Sequence, residues 1–255
     1  MSDSNRPARR AGRRPTENGG RRTQDDRRRG PVKERRVITA ATGGQLPKWV
    51  RDEVLRSTPK PRRDHALNLL SEGVTHFAEG RFHPAARALQ EAKALSPRAA
   101  TIRELLGLTA YELGRWEEAL RELRTFRRLS GDTDHMPVEM DCLRALRRPA
   151  EVRKVWEQFR QLDSAKSVDR EARVVFGSFL LDEGLTKEAW EVVRPSRLVA
   201  DPSPAEVRLW FVAARVAIAG GDHSTARTIY DAIRKADPVL PGLDELARAL
   251  AERPR

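Results

Sequence analysis

Cysteine is nearly absent from this chain: of 255 residues only Cys142 is one, and aromatic residues make up 5%. A single cysteine excludes an internal disulfide and fits a reducing compartment, with the thiol buried and inert. Long apolar runs are missing too. No stretch approaches the roughly 20 residues of a membrane-spanning helix. The N-terminus is charged but lacks the apolar stretch of a secretory leader. The expectation is a cytoplasmic protein that makes no use of a membrane.

Motifs that carry chemistry are also wanting. Neither a G-x-x-x-x-G-K-[ST] nor a G-x-G-x-x-G phosphate loop occurs. Gly43-Gly44 is followed by Gln45 and Leu46, so no lysine stands ready for a phosphate. No G-x-S-x-G nucleophile elbow is present. Among the five histidines, His76 pairs by spacing with Glu79, and His135 with Asp132, each three residues apart. A metal site needs three or four ligands, and neither pair has a third in its sequence neighbourhood. Both are expected at solvent-exposed turns, and the many carboxylates on solvated helix faces. These absences predict no enzyme, no catalytic residue, no metal, no cofactor and no small-molecule substrate.

Charge is plentiful, and it is uneven. Charged residues make up 34% of the chain against 39% apolar, with a net charge of +12. Residues 1–36 hold twelve arginines and one lysine against five acids, a net of +8, which leaves +4 for the rest. The arginines cluster as Arg9-Arg10, Arg13-Arg14, Arg21-Arg22, Arg27-Arg28-Arg29 and Arg35-Arg36. Residues 1–46 contain no aromatic residue and almost no apolar cluster. Such a segment buries too little apolar surface to offset its ordering entropy, so it reads as a disordered basic tail.

Beyond the tail the pattern becomes helical. Leu46, Val50 and Val54 recur every four residues around Pro47, which predicts a short helix that docks its apolar edge on the first repeat. Pro59 and Pro61 end it, so residues 47–63 read as a short helix and linker. From residue 64 to 252 a repeat takes over. Gly73, Phe77, Gly80, Phe82, Ala85, Leu89 and Leu95 each have a counterpart 34 residues on, at Gly107, Tyr111, Gly114, Trp116, Ala119, Leu123 and Leu129. A 34-residue period of small and aromatic residues signals stacked helical hairpins.

The spacing sets the elements. Asp64 is placed to cap a helix of about residues 65–79, and Gly80 turns the chain into a second of about 82–95. Helices near 100–113 and 116–129 repeat the plan. Gly177, Gly184 and Ala189 reproduce the spacing of Gly73, Gly80 and Ala85 in a fourth repeat. Gly221, Ala226 and Tyr230 mark a fifth. The third is degenerate: it lacks both glycines, and Arg147-Arg148-Pro149 must turn instead. Leu243, Leu246 and Leu250 predict a closing helix over 241–252 that covers the last repeat. Mid-helix Gly73 and Gly107, with Ala85, Ala119, Ala189 and Ala226, are expected to let paired helices approach closely. Phe82 and Trp116 are expected to plug the gap to a neighbouring helix.

These residues resemble the tetratricopeptide repeat (TPR) superfamily, whose pattern is W-x2-L-G-x2-Y, then A-x3-F, then P. Leu106-Gly107 with Ala119-x3-Leu123 carries it in the second repeat. Gly73, Ala85-x3-Leu89 and Pro97 carry it in the first, and Trp210, Ala226-x3-Tyr230 and Pro238 in the fifth. Tyr111 falls one residue late, and only the fifth repeat has the tryptophan. The resemblance covers about residues 65–238. It implies an all-α, TPR-like helical-hairpin solenoid of about five repeats with a C-terminal capping helix and a disordered basic N-terminal tail.

In that family the first helix of each repeat lines a concave groove. Carried over by position, the groove comprises Leu67, Leu70, Val74 and Phe77, then Glu104, Leu108 and Tyr111, then Arg208, Phe211 and Arg215. An extended peptide or a helix fits such a surface. Alternatively, individual positions such as Phe77 and Phe211 serve only the core. Family members that clamp chaperone C-termini use Lys and Asn where this chain has Leu70, Val74 and Leu105, which argues against that role. The leading expectation is a non-catalytic scaffold or adaptor for a protein partner. The alternative is RNA or ribosome association through the arginine tail, non-specific because no aromatic side chain interleaves the arginines.

Overall fold

The computed structural model describes residues 46–251. The basic segment before Leu46 lies outside the described residues. Among the described residues there are twelve α-helices, one 3-10 turn and no strand.

The first helix, α1 (Lys48–Ser57), follows Pro47 and sinks Val50 and Val54 completely. Five hairpins follow: α2 (Arg63–Ala78) with α3 (Phe82–Leu95), α4 (Ala100–Glu112) with α5 (Trp116–Ser130), α6 (Met136–Ala145) with α7 (Pro149–Phe159), α8 (Lys166–Asp182) with α9 (Thr186–Val193), and α10 (Pro204–Ala219) with α11 (His223–Ala236). The closing helix is α12 (Leu243–Ala251). Each hairpin packs on the next, so the core runs along the stack rather than round a centre. Asp64 sits inside the first turn of α2, and Arg62 holds the cap position without a side-chain bond. The short 3-10 turn Lys60–Arg62 starts the helix earlier than the aspartate alone suggests.

All five hairpin turns use one device. A residue in the left-handed region stands two before the second helix: Gly80 (φ 70°), Gly114 (69°), Arg147 (55°), Gly184 (75°) and Gly221 (79°). The next N–H then reaches back to a carbonyl of the first helix, as Arg81 N does to His76 O at 2.8 Å and Arg148 N to Leu143 O at 3.0 Å. This is the Schellman closure of a helix end. Arg147 thus fills the glycine position of the degenerate third repeat.

The mid-helix glycines are approach points. A Cβ on Gly73 would lie 2.6 Å from Leu89 Cγ, and one on Gly107 would lie 2.8 Å from Leu123 Cγ. Ala85, Ala119, Ala189 and Ala226 are fully buried. Met140 occupies the glycine position in the third repeat and Trp156 the facing leucine position; here the packing is aromatic, with Trp156 stacked on Phe176 of α8 at 4.4 Å. Phe82 and Trp116 each face a neighbouring helix, the paired one. Each makes an edge-on contact within its own hairpin, with Phe77 at 5.5 Å and Tyr111 at 5.4 Å. The tight glycine turn brings those rings together first.

Carboxylates also join the hairpins, against the expectation that they sit on solvated faces. Glu122 and Glu139 are 1% exposed. Glu122 on α5 accepts from Arg103 of α4 at 2.6 Å and Lys93 of α3 at 3.2 Å. Burial by itself would raise its carboxyl; the Arg103 bond and the two cations outweigh it and hold it below the usual range. Glu139 on α6 accepts a two-pronged bond from Arg127 of α5 at 2.9 and 3.0 Å. There burial wins, and its carboxyl stays above the usual range despite Arg127. Charges taken out of water must be paired in this way or they destabilise the fold.

Candidate functional site

The ten groove positions carried over by resemblance fall into three environments. Leu70 (0% exposed) and Val74 (2%) are core, enclosed with Val50 and Val54 of α1 and with Leu105 and Leu106 of α4. They offer no surface in this arrangement because α1 and α4 cover the face of α2 that they occupy. Leu67 is half-buried against the same cluster, and Phe77 is half-buried on Phe82. In the fifth repeat, Phe211 and Arg215 line a cavity of about 360 Å³ beneath α12, with Leu246 on its far side. Gly242, which leads into α12, lies against the Phe211 ring. The closing helix therefore covers part of what repetition alone would leave open. Arg208 is exposed and ion-pairs with Glu171 of α8.

The middle three positions behave differently. Glu104, Leu108 and Tyr111, all on α4, line one recess of about 350 Å³. Its other walls come from Val138 and Asp141 of α6, and from Val168, Glu171 and Val175 of α8. The loop before α6 closes one side with Asp132, Asp134 and His135. Three successive first helices thus share one concavity, with aliphatic patches between carboxylates.

Its polar groups are organised. His135 Nε2 lies 2.7 Å from Glu104 Oε1. Burial would push the imidazole down, but the Glu104 bond and the charges of Glu104, Asp132 and Asp134 outweigh it, and its pKa stands above the ordinary value. His135 is therefore no solvent-exposed turn histidine; the loop folds it onto α4, against the Phe126 ring at 5.5 Å. Tyr111 donates to Asp141 at 2.5 Å, and burial followed by that bond pushes its hydroxyl well above its usual range. Asp141 also accepts from Arg144 at 2.9 Å. His76 interacts instead with Glu72 at 3.4 Å, one turn earlier on α2. Cys142 is buried, and burial together with Asp141 and Glu139 pushes its thiol up to about 12. Among the described residues no group of three or more His, Cys, Asp or Glu side chains could hold a metal ion, and no helix is long and apolar enough to cross a membrane.

The recess residues on α6 carried a signal in the sequence. Pro137 and Asp141 stand ten and six residues before Arg147, as Glu104 and Leu108 stand before Gly114. Counting from the turn, rather than by the missing glycines, projects them to matching places. The Asp132–His135 spacing is a local mark of that loop, but it does not place the loop against α4. The eleven clustered tail arginines, Arg9 to Arg36, lie outside the described residues.

Comparison with known proteins fits this architecture. A family profile described as tetratricopeptide repeat matches residues 70–132. No curated protein sequence matches the chain. Among solved structures, the apo form of the quorum sensor NprR from B. thuringiensis superposes with a TM-score of 0.60 at 14% identity, over 86% of this chain and 66% of that one. The chain thus spans slightly less than two-thirds of that protein's length. At such low identity the likeness concerns the fold alone, and this fold is generally a non-catalytic, protein-interaction one. Residues 70–132 thus match the tetratricopeptide repeat family by sequence, and the stacked hairpins of the described residues share a TPR-like fold with that solved structure.

Proposed function

We propose that the chain is a non-catalytic cytoplasmic scaffold that holds a peptide or helix of a protein partner in the groove formed by its first helices. One observation supports this most directly: the recess in which Glu104, Leu108 and Tyr111 of α4 meet side chains of α6 and α8. Peptide grooves combine an apolar floor with a few polar groups that fix register. Leu108, Val138 and Val175 supply the first, and Glu104, Asp141 and Glu171 the second. The groove of this reading centres on α4, α6 and α8; Leu70 and Val74 belong to the core. That a structural neighbour is a quorum sensor is consistent with a ligand-receiving role for the fold.

The experiment is capture of partners from a lysate with the full chain and with Leu108→Glu and Val175→Glu variants. Both side chains are half-buried at the recess, so charge there disturbs the surface more than the core. Folding is checked by the helical circular dichroism signal and melting temperature. Recovered proteins should fall away in the variants. Retention of every partner by well-folded variants overturns the reading. The basic segment supports a second reading, association with RNA or ribosomes. Running the capture with and without nuclease separates the two, because partners bridged by RNA disappear only in the nuclease arm.

A further inference from the structure

The recess between α4, α6 and α8 has a charge, and the same chain carries a segment of the opposite charge attached close by. Five carboxylates line the recess, Glu104, Asp132, Asp134, Asp141 and Glu171, against a single basic side chain, His135. The lining is therefore acidic even with His135 charged. Arg144 and Arg208 reach Asp141 and Glu171 from outside it. The raised pKa of His135, against the effect of its burial, is a sign of the same field. Between the acids, Leu108, Val138 and Val175 offer aliphatic surface of the kind that takes the stem of an arginine while its head meets a carboxylate.

The opposite charge is in residues 1–36, with twelve arginines and one lysine against five acids. Its point of attachment is near. Glu53 of α1 accepts from the Thr101 N–H at 3.2 Å and from its hydroxyl at 2.5 Å, at the start of α4. Glu104 follows three residues on. Leu46 lies seven residues before Glu53, a rise of about 10 Å along a helix. An extended chain covers about 3.3–3.6 Å per residue, so the nine residues from Val37 to Gln45 can bring Arg35 and Arg36 to the recess. A short tether holds such a segment at an effective concentration on the order of millimolar, enough to make a weak charged contact a populated one.

We propose that the arginine-rich segment of this chain, residues 21–36, docks in the recess between α4, α6 and α8 and competes there with the protein partner. The proposal rests on the groove reading above and adds its regulation: a partner, or a polyanion that draws the arginines away, opens the groove.

The test places a nitroxide spin label on Thr23→Cys in the full chain; Cys142 is buried and stays unlabelled. Paramagnetic broadening of amide resonances is then mapped at about 50 mM salt. The proposal expects losses of roughly twofold or more in signal, confined to residues 104–111, 132–141 and 168–175. Those signals should return at about 0.5 M salt, where exposed charge pairs are screened, and in the labelled chain carrying Arg27→Gln, Arg28→Gln and Arg29→Gln. Absent broadening, or broadening spread evenly over the helices, overturns the proposal. Octa-arginine added to the unlabelled chain separates the two failures. Shifts in the three segments with octa-arginine but no broadening from the label sink the tail docking alone and leave the groove reading intact. Silence in both arms overturns the docking, and partner capture then decides the groove reading separately.

Discussion

The turn at Arg147 offers a clean measurement, because it is the one positive-φ residue among the described residues that is not glycine. An L residue in the left-handed region costs about 1–2 kcal/mol. Glycine removes that cost but loses more freedom on folding, about 0.5–1 kcal/mol. The Arg147 side chain is exposed, so its removal leaves no cavity. Arg147→Gly should therefore stabilise the fold by about 0.5–1 kcal/mol. For a folded body of this size that is roughly a 1–4 °C rise in melting temperature.

The reciprocal change is Gly184→Arg. Its φ is 75°, and an added Cβ meets nothing within 4 Å, so the cost there is the backbone's alone. It should destabilise by a similar amount. The assay is thermal and urea unfolding of both single variants and of the double variant, followed by circular dichroism. The two sites lie in different hairpins, so the double variant should return close to the parent. A fall in stability for Arg147→Gly, or shifts of the same sign in both singles, would refute the claim that the five turns share one mechanism.

Three further outcomes follow from the packing. Gly107→Ala gains about 1 kcal/mol of helix propensity but pushes a methyl to 2.8 Å from Leu123 Cγ and 3.2 Å from the Leu123 backbone nitrogen; overpacking at about 1–3 kcal/mol should win, lowering the urea midpoint. Arg127→Ala leaves the Glu139 carboxylate buried, with Arg124 of α5, 3.8 Å away, as its remaining arginine; it should cost about 2–3 kcal/mol in urea unfolding, more than an exposed pair does. His135 has a raised folded pKa, so its contribution is complete below the unfolded value of about 6.5 and is lost as pH rises through the folded value. Stability should therefore decline as pH rises across the neutral range, and His135→Gln should flatten that slope; the groups facing His135 are Glu104 on α4, Asp132 and Asp134 in its loop, Glu139 on α6 and the Phe126 ring of α5.

How much was legible in the sequence depends on how far each interaction reaches. The hairpins, their turns and the close approaches are set by residues within one repeat, so a 34-residue offset exposes them. The same reasoning extends to Arg147 by position alone, although nothing in its chemistry suggests a left-handed turn. What covers a face is a different matter. Leu70 and Val74 share the stripe of a groove-lining helix, yet Val50 and Val54 of α1 bury them; Phe211 faces outward by period, yet α12 lies over it. Those covers come from outside the repeat: their own apolar spacing marks them as docking helices, but the 34-residue period does not say which side chains they bury. The buried acids were illegible for a related reason. Glu122 finds Arg103 and Glu139 finds Arg127 on neighbouring helices, and a charged residue on an amphipathic helix looks solvated until its neighbour is placed.

The least regular repeat supplies half of the recess. Asp132, Asp134, His135, Pro137, Val138 and Asp141 all belong to the loop and first helix of the third hairpin, where both expected glycines are missing. This has a physical logic. Glycine and alanine at the regular positions are committed to closing one helix on the next, and they leave nothing for a ligand. Where Met140 and Trp156 replace a glycine and a leucine, the hairpin is held by aromatic stacking on α8 instead. The loop ahead of it is then free to carry charge, and it places three polar side chains at the edge of an aliphatic floor. In a repeat protein the shared residues build the stack, and the departures from the pattern are where individual recognition should be sought.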